Sequence, residues 1–231
     1  LAMTRPSRPL PHFPGHTPSP SLAHPELKPP FLTLIASGGH SEIVMVKSYT
    51  EFEILGGTRD DAAGEAFDKV ARVLGVGYPG GPKIDKLAQD GDAKMYKLPD
   101  SHIKDAPLDF PLAHNAEQKG ETIDRNGLAA SFCAAVVHTL VPRLEMAVKQ
   151  THARRVVCAG GVAANSFLRA ALQEMAKREH VQLFMPPLQL CGDNAAMIGS
   201  QAYYEYQAGT RGKTLQNAYA TADIGKNIAI E

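Results

Sequence analysis

From residue 31 the chain alternates short apolar runs with glycine-rich breaks. FLTLIAS, residues 31–37, is a continuous apolar run of strand length and predicts a buried strand. GGH turns the chain, and SEIVMVKS, residues 41–48, predicts its antiparallel neighbour. EFEIL, residues 51–55, predicts a third strand stopped by Gly56-Gly57. Over 62–74 the period changes: Phe67, Val70, Ala71 and Leu74 share one face of a helix, with Gly75 as its stop. Residues 75–125 are rich in Gly, Pro and charge and read as an irregular insert, with GVGYPGGP excluded from regular structure. The longest helical pattern follows at 127–149, with Pro142 expected to kink or split it. RRVVCAG predicts a strand, residues 165–179 a helix capped by Asn165 or Ser166, VQLFMP a strand, and 194–208 a last helix capped by Asp193 and ended by Gly209.

Three meandering strands followed by α-β-α-β-α is the order of a ribonuclease-H-like α/β lobe. Two such lobes make the actin/hexokinase/heat-shock-70 type of ATPase fold, a mixed sheet flanked by helices with nucleotide held between lobes. Residues 1–30 differ in texture. They carry nine prolines, at positions 6, 9, 11, 14, 18, 20, 25, 29 and 30, and predict an extended arm. The organisation expected is therefore an arm over 1–30, one lobe over 31–208 and a tail over 209–231.

Composition narrows the picture only slightly. Of 231 residues, 44% are hydrophobic, enough for a sizeable core, and 24 basic side chains balance 24 acidic ones. That balance does not announce a nucleic-acid binder, although a local patch would suffice. Cys133, Cys158 and Cys191 are odd in number and scattered, which argues against a disulfide framework and fits a reducing cytosol. No apolar run is long enough to predict a membrane span, and the first ten residues lack the apolar stretch of a secretory leader.

Five stretches carry candidate chemistry. In SGGHSE, residues 37–42, Gly38 and Gly39 let backbone N–H groups approach an anion and Ser37 adds a hydroxyl; a plain hairpin turn is the competing reading. In GGTRDDAAGEAFDKVARVLGVGYPGGP, residues 56–82, Asp60, Asp61 and Glu65 suit a helix start, whereas Asp68 lies inside the helix and is suited to accepting both hydroxyls of a ribose. Gly80 and Gly81 of YPGGP let a flat ligand lie against the backbone, or make an ordinary loop. In CAGGVAANSFL, residues 158–168, a double glycine aims a helix N-terminus outward, and Asn165 either caps that helix or bonds a purine edge. In CGDNAAMIG, residues 191–199, Asp193 is a cap or a metal carboxylate. His12 and His16 in PHFPGH stand four apart, the spacing of a shared metal on a helix, with Pro14 between them.

Together, IASGGHSE, the 56–82 stretch, AGGVAANSFLRAAL and CGDNAAMIG closely resemble the tRNA threonylcarbamoyltransferase family (bacterial TsaD; archaeal and eukaryotic Kae1), from about residue 10 to 208. The resemblance implies a two-lobed actin-like enzyme that transfers threonylcarbamoyl from threonylcarbamoyl-AMP to N6 of adenosine 37 in tRNAs reading codons that start with A. It implies substrate contacts at Ile35, Ala36, Ser37, Gly38 and Gly39, a ribose-holding acid at Asp68, a turn beside the nucleoside at Gly81 with Asp85 next to it, and Asn165 near the adenine. It implies one divalent metal, iron (Fe2+) or zinc, on His12, His16 and Asp193, with threonylcarbamoyl-AMP or ATP/AMP as nucleotide. The partners implied are tRNA and TsaB-like and TsaE-like proteins, in the cytoplasm and without a membrane. Against the family pattern the chain reads as a shortened, bacterial-type member lacking most of an N-terminal lobe. LDFPLAHNAEQKG, residues 108–120, stands where relatives carry an FSFSGLKTA-like run, and P-H-F-P-G-H stands where they carry N-H-M-E-G-H. The alternatives are an inactive nucleotide-binding or scaffold member, a metalloprotease or an actin-fold kinase. The His-x-x-x-His spacing here lacks the Glu of a protease motif, and a kinase phosphate loop is not visible.

Overall fold

The computed structural model describes residues 23–98 and 123–209. Three strands open the fold: β1, Phe31–Ala36; β2, Ser41–Ser48; and β3, Glu51–Gly57, which runs through the glycine pair expected to stop it. Helices α1, Ala63–Val73, α2, Gly80–Ala88, and α3, Arg125–Thr151, follow. Then come β4, Arg155–Ala159, a 3-10 turn at Gly161–Ala164, and α4, Ser166–Arg178. The described chain closes with β5, Gln182–Phe184, a 3-10 turn at Leu188–Leu190, and α5, Ala195–Gln207.

The sheet order is β3-β2-β1-β4-β5. β1 lies at its centre, antiparallel to β2 with Ala36 opposite Ser41, and parallel to β4 with Ile35 opposite Ala159. Every residue of β1 is buried, as a strand covered on both faces requires. On one face Leu32, Leu34, Ile43, Val156 and Cys158 join the main core with α1, α3 and α4, where Phe67 and Phe132 meet edge to face at 5.0 Å. On the other, Phe31, Val46, Val157 and Phe184 enclose Leu27. This is a ribonuclease-H-like lobe of the actin type, with a mixed sheet and flanking helices.

Residues 23–30, placed in the arm by composition, are tied to this lobe. Leu27 is fully buried, the Tyr49 hydroxyl donates to its carbonyl at 3.3 Å, and Arg155 Nη1 donates to the Lys28 carbonyl at 2.6 Å.

Three expectations are corrected. GVGYPGGP contributes the first turn of α2: Pro82 is the third residue of that helix, where the N–H has no intrahelical partner to lose. Pro142 does not split α3, which is continuous over 27 residues. The carbonyl that Pro142 leaves without a backbone partner belongs to His138; both residues are exposed, so water can serve it, while Arg143 Nη1 donates to the neighbouring Thr139 carbonyl at 2.7 Å. The cap of α5 is Asn194, whose Oδ1 accepts from Met197 N at 3.0 Å, and not Asp193. By length and composition α3 would reach across a membrane, beyond what the apolar runs predicted, yet 72% of that window is buried inside the fold, as in a core helix.

Candidate nucleotide site

Three of the motifs read from the sequence, at 35–42, 56–82 and 158–168, meet in a ring of backbone and side-chain contacts at the carboxyl end of β1 and β4, where open α/β sheets hold ligands. Ser37 N donates to the His40 carbonyl at 2.8 Å, and Ser37 Oγ accepts from His40 N at 3.1 Å, which fixes the glycine turn. Gly38 and Gly39 at its tip are exposed, with no atom within 4 Å of a side-chain position on either. Ile35 and Ala36 are fully buried, so their side chains serve the core and only their backbone faces this end. Helix α1 docks on the turn: Gly64 N donates to the Ser37 carbonyl at 3.0 Å and Ala63 N to Ser41 Oγ at 2.7 Å.

Asp68, half-buried on α1, reaches the next element. Its Oδ1 accepts from Gly80 N at 2.6 Å, satisfying the first N–H of α2 from outside that helix. Gly80 has to be a glycine here, because a Cβ would stand 2.6 Å from the Phe67 carbonyl oxygen and 2.7 Å from Ala71 Cβ. Gly81 beside it faces open space. Asp85, one turn along α2, closes the gap to α4: its Oδ1 accepts from Asn165 Nδ2 at 2.9 Å, Ser166 N at 2.9 Å and Ser166 Oγ at 2.7 Å. Asn165 is the cap of α4, its Oδ1 accepting from Leu168 N at 2.9 Å, and its amide also approaches Cys133 Sγ at 3.6 Å. Gly160 completes the ring against Ala36 and Ser37. Asp68 and Asp85 thus each have Oδ1 anchored, while Oδ2 accepts no hydrogen bond among the described residues.

The expected metal ligands are not brought together within the described residues. His12 and His16 lie outside them, Asp193 is exposed just ahead of α5, and no group of three or more His, Cys, Asp or Glu gathers among the described residues. The three cysteines are buried and unpaired; burial pushes the Cys133 and Cys158 thiols up to about 12, which keeps them as inert thiols.

Glu42 escaped the sequence reading. Its Oε2 is buried and finds no hydrogen-bond partner among the described residues, and burial pushes the carboxyl from 4.5 up to about 7. The sequence held a signal, since Glu42 has the parity of Val44 and Val46, both buried on one face of β2. Because the folded pKa exceeds the unfolded one, this group's contribution to stability is fully present below about 4.5 and is lost as pH rises through about 7. Glu42→Gln is therefore expected to flatten that slope and to stabilise the fold by about 2 kcal/mol at pH 8, less than the full shift implies because the side chain retains part of its solvent contact. Urea melts at pH 5 and pH 8 measure it, and a variant that keeps the wild-type slope would overturn the assignment.

The family model for TsaD, tRNA N6-adenosine threonylcarbamoyltransferase, matches residues 1–200. Proteins named tRNA N6-adenosine threonylcarbamoyltransferase match from Clostridium botulinum strain 657 (46% identity over 225 residues, 93% of this chain and 66% of the relative) and from Moorella thermoacetica (45% over 205 residues, 84% and 60%). The chain spans about two thirds of the length of these curated relatives. Among solved structures, full-length HypF in its phosphate- and nucleotide-bound form shares the fold, with TM-score 0.68 and 15% identity over 90% of this chain and 37% of that one. With 46% identity to a named relative and the family model running through every motif stretch from residue 35 to 199, the chain belongs to the TsaD family of tRNA N6-adenosine threonylcarbamoyltransferases.

Proposed function

We propose that this chain transfers the threonylcarbamoyl group of threonylcarbamoyl-AMP to N6 of adenosine 37 in tRNAs reading codons that start with A. The observation that carries the reading is the ring itself: three motifs scattered from residue 35 to 168, with Asp85 beside the second, converge on one end of the sheet and present two anchored carboxylates beside open glycines. In the reaction the N6 lone pair attacks the carbamoyl carbon, the bond from that carbon to the phosphate oxygen breaks, AMP leaves with the electron pair, and N6 gives up one proton. AMP is already a good leaving group, so the protein's task is to position and to neutralise charge. In this reading Asp68 Oδ2 takes the ribose hydroxyls, Gly81 lies flat beneath the nucleoside, and the Gly38–Gly39 turn receives the anhydride end. Asn165 acts near the adenine while capping α4.

A divalent ion, iron or zinc, would be held by His12, His16 and Asp193, two imidazoles and a carboxylate being donors that both metals accept. Asp193 is exposed and so within reach of solvent-borne metal. Bound there, the ion would polarise oxygens of the donor. TsaB-like and TsaE-like partners would share tRNA binding, in keeping with 24 basic residues balanced by 24 acidic ones. A cytoplasmic setting agrees with three unpaired, buried thiols.

The test is a transfer assay with the 231-residue chain, threonylcarbamoyl-AMP, a tRNA transcript reading an A-starting codon, iron or zinc, and the two partner proteins. Mass spectrometry of digested tRNA should show threonylcarbamoyladenosine above the no-enzyme background; folded, metal-supplied chain giving none would overturn the proposal.

A further inference from the structure

Asp85 is held by more than the amide of the neighbouring cap. The Ser166 hydroxyl donates to its Oδ1 at 2.7 Å, and that hydroxyl accepts from Gln89 Nε2 at 2.7 Å. Gln89 stands four residues after Asp85, at the C-cap of α2, and its amide also donates to the Asp85 backbone carbonyl at 3.2 Å. A serine hydroxyl has one proton. With Gln89 donating into its lone pairs, that proton has to point at Asp85, so the relay runs in one direction from Gln89 through Ser166 to the carboxylate. Three donors converge on Oδ1, which stops the carboxylate from rotating and leaves Oδ2 as the oxygen free for a ligand.

We propose that Ser166, oriented by Gln89, is a positioning residue that holds Asp85 for the nucleoside; the inference rests on the nucleotide reading given above. A purely structural account has Asp85 satisfying the first N–H of α4. That account needs only the Ser166 backbone N–H, at 2.9 Å, and is indifferent to the hydroxyl. The two accounts therefore part at Ser166→Ala, which keeps the backbone donor and removes the side-chain one.

The experiment titrates AMP calorimetrically into the full 231-residue chain and its Ser166→Ala, Ser166→Thr and Gln89→Ala variants, and records for each the melting temperature and the ligand-free 13Cγ resonance of Asp85. A lost charge-assisted hydrogen bond should weaken AMP binding about tenfold in Ser166→Ala. The loss should be smaller in Gln89→Ala, Ser166→Thr should keep wild-type affinity, and every variant should remain folded at the titration temperature, with melting temperatures lowered by no more than a few degrees. Wild-type affinity in Ser166→Ala would overturn the proposal, as would equal weakening in Ser166→Thr. If the wild type itself fails to bind AMP, the nucleotide reading fails, and the ligand-free spectrum decides the positioning separately. A displaced Asp85 resonance in Ser166→Ala then supports it, and an unmoved one overturns it.

Discussion

Gly160→Ala is expected to destabilise the fold by about 3–4 kcal/mol. Gly160 has φ +93° and ψ 168°, a backbone region that residues with a side chain avoid. A Cβ there would also stand 2.4 Å from the Ala36 carbonyl oxygen and 2.7 Å from its carbon, both backbone atoms of the central strand. Neither can yield without displacing Ser37 and, through it, the Gly64 contact that seats α1. The damage should therefore be shared between stability and the site. Gly161→Ala is the control: it has ordinary φ and no atom within 4 Å of the added Cβ, and should stay within about 0.5 kcal/mol of wild type. Urea melts of the two variants measure the contrast, and similar midpoints for both would refute the close approach at Gly160.

What the sequence made legible follows from the range over which each signal acts. β1 is readable because a strand buried on both faces leaves an unbroken apolar run, and α1 because Phe67, Val70, Ala71 and Leu74 repeat at the helical period. α2 was lost because Gly-Gly-Pro speaks locally for a loop. Its helix is maintained from elsewhere, by Asp68 on its first N–H and by burial of Ile84 and Ala88. Pro142 does not split its helix, since its defect falls on the solvent side of a helix whose other side is core. Asp193 and Asn194 are equally good caps by type, and the choice between them depends on where Met197 and Gln201 are buried. In the site, residue types were legible while their partners were not. Asp68 to Gly80 spans 12 positions and Asp85 to Ser166 spans 81, so both bonds are consequences of the fold and leave no periodic trace.

Asp68→Asn should weaken AMP binding about 100-fold while leaving the melting temperature within about 2 °C of wild type. The argument depends on which oxygen does what. Oδ1 is already committed to Gly80 N at 2.6 Å, and the amide oxygen of asparagine can keep that bond, so α2 stays docked on α1. The second oxygen becomes an NH2 group, which donates and cannot accept. Two ribose hydroxyls that would each donate to a carboxylate oxygen then meet a donor instead. Losing two charge-assisted bonds at the lower end of their usual worth, about 1.5 kcal/mol each, gives the factor expected. Asp68→Ala separates the structural share, because it also removes the Gly80 bond and should lower the melting temperature as well as the affinity. Calorimetry with AMP and thermal melts on both variants supply the numbers. Unchanged affinity in Asp68→Asn would take the ribose away from Asp68 and leave it only the docking of α2.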